Sequence, residues 1–245
     1  REPVSATLAL GCLDDAGGAA PPCAPSGRWS WRCAPRGYTA YREEQEKHST
    51  AASWSGSWSQ HFNHADILHL ARFISQQVPL RARFGICHGT RSGHEQRRFE
   101  LHLSRLVPAR RQVRVLGTEL SEAAIRTNST VRMDFHLTRR EWNGAADFVF
   151  SNSLDHALSP QRAITAWMSA VAEHGVLLLE HSYWHTEVGA TGPNIFGATF
   201  DEYVALVESA GAFKVVDVLT SPTRGRHNGN ARFLVVRHAQ TQVSR

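Results

Sequence analysis

The sequence of 245 residues has few lysines, few cysteines and no long apolar run. Lysine occurs only at Lys47 and Lys214, so arginine carries nearly all of the positive charge behind the net charge of +5. None of the four cysteines forms a Cys-x-x-Cys pair, which argues against a zinc site or a dense disulfide framework. No stretch approaches the roughly 20 apolar residues that cross a bilayer, which excludes a membrane-spanning helix. We therefore expect a reducing compartment, the cytoplasm by default, with organelle targeting as the alternative.

The first 60 residues differ in composition from the rest of the chain. Alanine, glycine, proline and serine dominate up to Pro35, and no helical or strand period persists there. This pattern predicts a disordered extension over residues 1–45. Residues 46–62 include a Ser/Trp-rich stretch that we interpret as a lid or linker, and a globular domain is predicted over residues 63–245.

Helical and strand patterns alternate from Asn63 onwards. Asn63 is placed to cap a helix that ends at Pro79, and Phe84–His88 reads as a short apolar strand. Residues 89–93 form a glycine-containing loop, and the helix after this loop ends at Pro108. Later strands are predicted over residues 113–117, 130–133, 146–150, 176–180, 214–219 and 232–237, and later helices over 121–126, 159–175 and 199–211.

The order of these elements predicts the fold class. Asn228-Gly229 lies between the last two strands and is favoured in tight hairpin turns, which predicts an antiparallel pair. Five strand and helix units before it imply a mostly parallel sheet with helices on both faces. We therefore predict an α/β, Rossmann-like, doubly wound fold, with a seven-stranded, mostly parallel sheet and an antiparallel C-terminal hairpin.

Three features fall where such a sheet binds ligands, at the carboxyl ends of its strands. The loop at residues 89–93 lets backbone N–H groups approach a ligand closely, although a plain tight turn explains it equally well. Glu119 follows the second strand, where a carboxylate can accept hydrogen bonds from ribose hydroxyls, or be a solvated surface group. Asp134 ends the third strand and is placed to meet a purine amine, or to cap a loop. Together they indicate an adenosine-containing ligand.

With these residues, the sequence resembles the class I S-adenosylmethionine-dependent methyltransferases over roughly residues 63–238. Residues 87–93 match the first motif of that family, with Cys87 in place of its acid and Arg91 in place of its middle glycine. Glu119 and Asp134 match the acids that bind ribose and adenine, and the final hairpin matches the antiparallel strand that distinguishes the family from dehydrogenases. The resemblance implies S-adenosyl-L-methionine as cofactor, contacted by His88, Gly89, Thr90, Arg91, Gly93, Glu119, Leu120, Asp134, Phe135 and Asn152.

Two of these residues have alternative roles. The guanidinium of Arg91 can bind the carboxylate of the methionine part of the cofactor through two parallel hydrogen bonds, or be exposed. His88 can exchange one hydrogen bond with the same ligand, or be a buried side chain whose hydrogen bonds are satisfied within the protein.

Residues 147–156 look like the fourth strand of the family and the loop that faces the transferred methyl group. Methyl transfer chiefly requires that the acceptor is aligned and water excluded. For a hydroxyl acceptor, His156 is predicted as the general base, oriented by Asp155, while a hydrogen bond to the backbone or a cofactor contact are its alternative roles. The acceptor pocket is predicted to be lined by Tyr183, Trp184 and His185.

Two other ligand classes are disfavoured. His181 and His185 have a spacing that suits a metal on a helix, but they follow a strand and lack a third ligand, so no metal site is predicted. Nine arginines lie between residues 81 and 114, but they are spread out, and Arg98, His102 and Arg105 lie opposite the apolar stripe of one helix with no aromatic residues interleaved on that face. This distribution is typical of a solvated helix face rather than a nucleic-acid site.

The sequence thus predicts an S-adenosylmethionine-dependent methyltransferase that methylates an oxygen of a small molecule, such as a sugar or secondary metabolite. A non-catalytic nucleoside-binding module of the same fold and an NAD-dependent dehydrogenase are the alternatives. The expected partner is a small-molecule acceptor, with neither a membrane nor a nucleic acid, and the oligomeric state stays open.

Overall fold

The computed structural model describes residues 30–31, 37–54, 64–79, 83–108, 112–122, 124, 127–190, 194–223 and 231–239. The helices in these ranges are α1 (Gly37–Trp54), α2 (His64–Gln77), α3 (His94–Leu106), α4 (Pro160–Ala170) and α5 (Phe200–Ser209). The strands are β1 (Ser30–Trp31), β2 (Phe84–His88), β3 (Arg114–Glu119), β4 (Thr130–Arg132), β5 (Ala146–Ser151), β6 (Val171–His181), β7 (Phe196–Gly197), β8 (Phe213–Thr220) and β9 (Arg232–His238). Among the described residues, no helix combines the length and apolar character that a bilayer crossing needs.

Seven of the strands form one sheet, in the order β4-β3-β2-β5-β6-β9-β8. The first five strands in this order are parallel, whereas β9 runs antiparallel to both β6 and β8. The predicted seven-stranded, mostly parallel sheet with an antiparallel C-terminal pair is therefore confirmed. The strand order reverses around β2 and β5, and in such sheets the ligand crevice lies at the carboxyl ends of the strands on either side of this point.

Apolar cores lie on both faces of the sheet, because its central strands are buried on both sides. On β5, Phe148 and Phe150 belong to the cluster that also contains residues of α2 and α3, whereas Val149 belongs to the cluster with α4 and α5. The inward stripe of α2 includes Ile67 and Ile74, both fully buried. Each such side chain contributes about 1.5–3 kcal/mol to the hydrophobic stabilisation of the fold.

The end of α4 corrects a predicted boundary. We expected the helix that begins after Ser159 to reach Gly175, but α4 ends at Ala170 and β6 starts at once with Val171. Val171 pairs with Ala146 at the start of β5, so sheet pairing extends the strand into residues that were assigned to the helix.

The predicted ends of the last helix are correct at its start only. Thr199 accepts a hydrogen bond from the backbone of Glu202, and the Glu202 carboxylate accepts one from the backbone of Thr199, which confirms the capping box. The helix was predicted to reach Gly211, but it ends at Ser209 and is capped by Ala210 in a right-handed conformation, which requires no glycine.

Helix α1 is the main correction to the predicted organisation. We expected a disordered extension up to residue 45 and a lid or linker from 46 to 62, yet Gly37–Trp54 forms one helix. Its inward side chains include Tyr41, Gln45 and Ser49, which recur at helical spacing but are mostly polar, so a search for apolar periodicity misses them. Residues 1–29, 32–36 and 55–63, the Asn228-Gly229 turn and much of the predicted helix at 121–126 lie outside the described residues.

Candidate functional site

A cavity of about 50 Å³ lies at the carboxyl ends of the parallel strands. Six of the predicted cofactor residues line it, namely Gly89, Arg91, Glu119, Leu120, Asp134 and Phe135. Ser153 and His156 contribute from the loop after β5, and α1 closes the cavity with Tyr41, Gln45, His48 and Ser49. The structure therefore brings the glycine loop, both acids and the predicted base around one space.

The loop between β2 and α3 has the backbone geometry of a close-approach turn. Gly89 and Gly93 adopt φ angles of +71° and +70°, which side-chain-bearing residues rarely adopt. The backbone N–H groups of Gly89 and Thr90 both donate to the carbonyl oxygen of Thr118, at 2.9 and 3.1 Å, and tie the loop to β3. A Cβ atom on Gly89 would stand 2.4 Å from the hydroxyl oxygen of Ser153, so only glycine fits here.

Glu119 is buried at the end of β3, with its carboxylate directed at the glycine loop and α1. One oxygen, Oε1, accepts hydrogen bonds of 2.9 Å from both the Ser49 hydroxyl and the Ser121 backbone N–H. The other, Oε2, accepts the backbone N–H of Arg91 at 2.8 Å. The two carboxylate oxygens of Glu119 thus already accept hydrogen bonds from both hydroxyl and amide donors.

Asp134 lies after β4 and is also buried. Its Oδ1 accepts hydrogen bonds from the backbone N–H and the ring Nδ1–H of His136, at 2.8 and 2.6 Å, and its Oδ2 accepts one from the hydroxyl of Tyr38. The backbone N–H of Ser159 donates to Nε2 of His136, which fixes the ring proton on Nδ1. Burial alone would raise the pKa of Asp134, but the bonds from His136 and Tyr38 outweigh burial and lower this pKa to about 2. Asp134 is therefore ionised at neutral pH.

His156, the predicted base, is held by α1 rather than by its neighbour Asp155. Its Nδ1 lies 3.1 Å from Oε1 of Gln45, its ring stacks on that of His48, and its carbonyl oxygen accepts the Tyr41 hydroxyl at 2.9 Å. The nearest approach to Asp155 is 3.9 Å, between Nε2 and Oδ2, which is too long for a hydrogen bond. The predicted orientation by Asp155 is therefore corrected to Gln45.

Other predicted cofactor residues lie beside the cavity rather than on its surface. His88 is buried, with Nδ1 2.8 Å from the Thr118 hydroxyl oxygen and its ring stacked on Trp167. Burial lowers the pKa of His88 to about 3, so its ring is neutral and belongs to the core. Thr90, Gly93 and Asn152 also support the loops without lining the cavity.

The predicted acceptor residues form a single turn after β6. His185 is buried, and its Nδ1 accepts the backbone N–H of Ser182, so the proton sits on Nε2, which donates to the Asn152 carbonyl at 3.1 Å. Tyr183 is exposed, and neither it nor Trp184 reaches the cavity surface. Their role at an acceptor stays a prediction, while His185 supports the loop after β5. Within the described part of the chain, no group of three metal-ligating side chains is arranged to hold a metal ion.

The face of α1 that covers the cavity was missed by the sequence analysis. Tyr38, Tyr41, Gln45, His48 and Ser49 all point towards the acids or His156. An ion pair between its Glu46 and Arg132 of β4 fastens the helix at one side. The signal available in the sequence was a polar and aromatic stripe at helical spacing, immediately before the first apolar helix.

No protein-family model and no curated protein sequence matches the chain. Among solved structures, 1,6-didemethyltoxoflavin-N1-methyltransferase of Burkholderia thailandensis, which contains S-adenosylhomocysteine, is similar with a TM-score of 0.60 and 13% identity over 86% of this chain and 95% of that chain. The mitomycin 7-O-methyltransferase MmcR is similar with a TM-score of 0.51 and 15% identity over 81% and 68% of the two chains. The [4+2]-cyclase SpnF reaches a TM-score of 0.51 and 12% identity over 71% and 81%. Together with the strand order described above, these similarities show that the chain has the fold of the class I S-adenosylmethionine-dependent methyltransferases.

Proposed function

We propose that the chain is an S-adenosylmethionine-dependent methyltransferase that acts on an oxygen atom of a small molecule. The observation that carries this proposal is the convergence of the Gly89 loop, Glu119 and Asp134 on one cavity. These groups follow three neighbouring strands, β2, β3 and β4, spaced about 4.8 Å apart. A nucleoside laid across the three strand ends meets the loop and both acids.

The hydrogen bonds of the two acids fit a nucleoside. Glu119 accepts a hydrogen bond from the hydroxyl of Ser49, and Asp134 accepts one from the hydroxyl of Tyr38. A ribose hydroxyl and the adenine amine are donors of the same kind, and both can take these acceptor positions. Asp134 is ionised at neutral pH because its hydrogen bonds lower its pKa to about 2, which makes it a strong acceptor.

The residues present also fit the remaining parts of the cofactor. Gly89 and Arg91 of the glycine loop line the cavity, and the Arg91 guanidinium can bind the methionine carboxylate. When bound, the cofactor supplies a methyl group activated by its sulfonium. The cavity of about 50 Å³ is smaller than the roughly 300 Å³ at which ligand pockets begin, and we infer that α1, which forms one of its walls, moves when the cofactor binds.

We assign His156 as the general base that deprotonates the hydroxyl of the methyl acceptor. Oε1 of Gln45 accepts a hydrogen bond from Nδ1–H of His156, so Nε2 is the basic nitrogen of the neutral ring. This nitrogen can take the proton of an acceptor hydroxyl as the oxygen bonds to the methyl carbon. The side chains of α1 exclude water from the same space, which favours the in-line approach.

A non-catalytic or differently catalytic protein of this fold is the second candidate. The similarity to a protein described as a cyclase shows that the fold does not by itself dictate methyl transfer. Cys87, which stands where the family has an acid, is fully buried, and burial raises the pKa of its thiol so that it is uncharged. A dehydrogenase is disfavoured because β9 runs antiparallel between β6 and β8.

The test is a thermal shift series with S-adenosylmethionine, S-adenosylhomocysteine and NADH. A ligand at 100 times its Kd stabilises the folded state by about 2.7 kcal/mol, and we expect this for the two methionine compounds only. Stabilisation by NADH alone would contradict the proposal. Transfer of labelled methyl groups to a panel of hydroxyl compounds then separates enzyme from module, since the module binds the cofactor and transfers nothing.

A further inference from the structure

Three buried polar atoms behind the cavity have no hydrogen-bond partner among the described residues. They are Oδ1 of Asp155, Oε2 of Glu180 and the hydroxyl of Tyr203. The three residues are 4%, 5% and 0% exposed, so bulk solvent does not reach them. Buried polar groups in folded proteins nearly always have a partner, and a group without one calls for a specific explanation.

The fold delivers these atoms to the same edge of the sheet as the cavity. Asp155 lies in the turn after β5, and Glu180 is the penultimate residue of the adjacent parallel strand β6. Oδ2 of Asp155 is 3.9 Å from Nε2 of the cavity residue His156. Tyr203 arrives from α5, and its ring packs edge-on against those of His181 and His185.

His185 connects the groups, because its Nε2 lies 3.8 Å from Oδ1 of Asp155 and its ring packs against Tyr203, while His181, the neighbour of Glu180, packs on the same tyrosine. The pKa of Glu180 is raised to about 8, chiefly by burial and against a hydrogen bond from Ser182 that lowers it, with smaller contributions from the charges of Asp155, Asp66 and Glu95. Burial raises the pKa of Asp155 to about 7, although Arg91 opposes this. The pKa of Tyr203 is raised by burial and then by the charges of Asp155 and Glu180. Without a cation beside them, both acids therefore retain protons near neutral pH.

Among the residues that the structure describes, no cationic side chain is hydrogen-bonded to the unpartnered oxygens of Asp155 and Glu180. His185 is the nearest ring, with Nε2 3.8 Å from Oδ1 of Asp155, but its Nδ1 accepts a hydrogen bond from the Ser182 backbone, so the ring is neutral. Arg91 lowers the pKa of Asp155, yet Oδ1 is left without a hydrogen bond from it.

We propose that the cluster of Asp155, Glu180 and Tyr203 binds an ammonium group of the ligand held in the adjoining cavity. An ammonium has three N–H donors and no acceptor, which matches three oxygen atoms that lack partners. Its charge also offsets the repulsion between the two carboxylates.

Two ligands can bring this ammonium. One is the methionine part of the cofactor, and this arm rests on the proposed function. Cys87 provides no charge at the position where the family has an acid, so the acids of the cluster are the replacement. The other source is an amine on the acceptor.

The decisive variant is Glu180→Gln, because glutamine has the shape of the protonated acid and leaves the packing intact. The matched control is Glu173→Gln, on the same strand, with a side chain that is 88% exposed. Calorimetry measures the Kd of S-adenosylhomocysteine and of 5′-methylthioadenosine, which keeps the nucleoside and lacks the amino-acid part. For the cofactor arm, we expect at least about tenfold weaker binding of S-adenosylhomocysteine by Glu180→Gln, unchanged binding of 5′-methylthioadenosine, and wild-type behaviour of the control.

The acceptor arm uses methylammonium, butylammonium and 2-phenylethylammonium as probes, with and without S-adenosylhomocysteine. If Glu180→Gln weakens the binding of the amines and leaves the binding of S-adenosylhomocysteine unchanged, the cluster binds an ammonium group of the methyl acceptor. If neither class of ligand is weakened, the proposal is overturned. A wild-type chain that binds no methionine compound refutes the proposed function, while the amine titrations still decide the ammonium site.

A second readout is the proton balance of binding. An ammonium beside the cluster favours the ionised acids, so binding at pH 7 should release up to about one proton. Titrations in two buffers of different ionisation enthalpy measure this number. We expect Glu180→Gln to release fewer protons than the wild type. Tyr203→Phe should release about as many as the wild type, because the phenol of Tyr203 keeps its own proton. Equal proton release by the wild type and Glu180→Gln would count against the cluster.

Discussion

The hydroxyl of Ser49 in α1 donates a hydrogen bond of 2.9 Å to the carboxylate of Glu119 at the end of β3. This bond uses an acceptor position that a ribose hydroxyl would otherwise take. On the proposed function, helix α1 and the nucleoside compete for Glu119, and we expect the affinity for the cofactor to depend on α1.

Replacing Ser49 by alanine should tighten the binding of S-adenosylhomocysteine. The variant loses a hydrogen bond worth about 1 kcal/mol that a ribose hydroxyl would have to displace, which corresponds to roughly fivefold in Kd. Calorimetry provides the measurement, and Ser75→Ala is the control, because the Ser75 hydroxyl bonds only to the backbone of its own helix. Weaker binding by Ser49→Ala would mean that this hydroxyl contacts the cofactor instead of competing with it.

Replacing Glu119 by glutamine should weaken the binding of S-adenosylhomocysteine by about ten- to a hundredfold. The carboxylate accepts bonds from Ser49, Ser121 and Arg91, and an amide has only one oxygen for these donors and the ribose. Glu122→Gln, whose side chain is 74% exposed, should bind like the wild type. If the two variants bind S-adenosylhomocysteine with equal affinity, Glu119 is not part of the cofactor site.

Replacing Gly89 by alanine should destabilise the chain more than the same change at Gly144. Both glycines have positive φ angles, +71° and +63°, so both variants carry backbone strain of about 1 kcal/mol. Only the Cβ at position 89 meets other atoms, the Cβ and hydroxyl of Ser153, which adds about 1–3 kcal/mol. Denaturant unfolding gives the two values, and equal losses would show that the loop after β5 does not touch Gly89.

Replacing His156 by alanine should slow methyl transfer about 10²- to 10⁴-fold, the usual contribution of a positioned base. The Kd of S-adenosylhomocysteine should change little, because the ring contacts Gln45 and His48 rather than the two acids. His174→Ala is the control, since that ring is largely exposed. Unchanged turnover of the His156 variant would rule out the base assignment.

The stability of the wild type should fall relative to Glu180→Gln as the pH rises from about 4.5 to 8. Burial raises the pKa of Glu180 from 4.5 to about 8, so over this range the folded state holds a proton that the unfolded state has lost. The resulting slope is at most about 1.4 kcal/mol per pH unit. Denaturant unfolding at pH 5 and pH 8 measures it, with Glu173→Gln as control. A constant difference between wild type and Glu180→Gln across this range would show that Glu180 is ionised in the free protein.

The sequence predicted the sheet and the acids that follow its strands because their signals are local. Phe84–His88 is bounded by a glycine loop and fills one strand, so its limits were correct to the residue. Glu119 and Asp134 were placed correctly because parallel strands bring their carboxyl ends to one edge. Local patterns therefore suffice wherever topology alone decides the position of a side chain.

The parts that escaped prediction depend on contacts distant in sequence. Tyr38 and Ser49 are ordered by acids that lie 96 and 70 positions further along the chain, and their own helix has no apolar stripe to reveal it. His88 was expected at the ligand, but its side chain turns to Trp167, a contact that strand periodicity cannot distinguish from one with the cavity. Asp155 was expected to orient His156, whereas the partner is Gln45 of α1.

The short strand β1 is connected through β7 to the turns that carry Asp155 and His185. It pairs with β7, whose neighbours Ile195 and Ala198 donate backbone hydrogen bonds to the turns of Asp155 and His185. The backbone on either side of β7 therefore links the turn of Asp155 to the turn of His185, and we expect a molecule bound beside one of these turns to affect the other. By thermodynamic reciprocity, a molecule bound near β7 would change the affinity for the cofactor by the same factor by which the cofactor changes the affinity for that molecule.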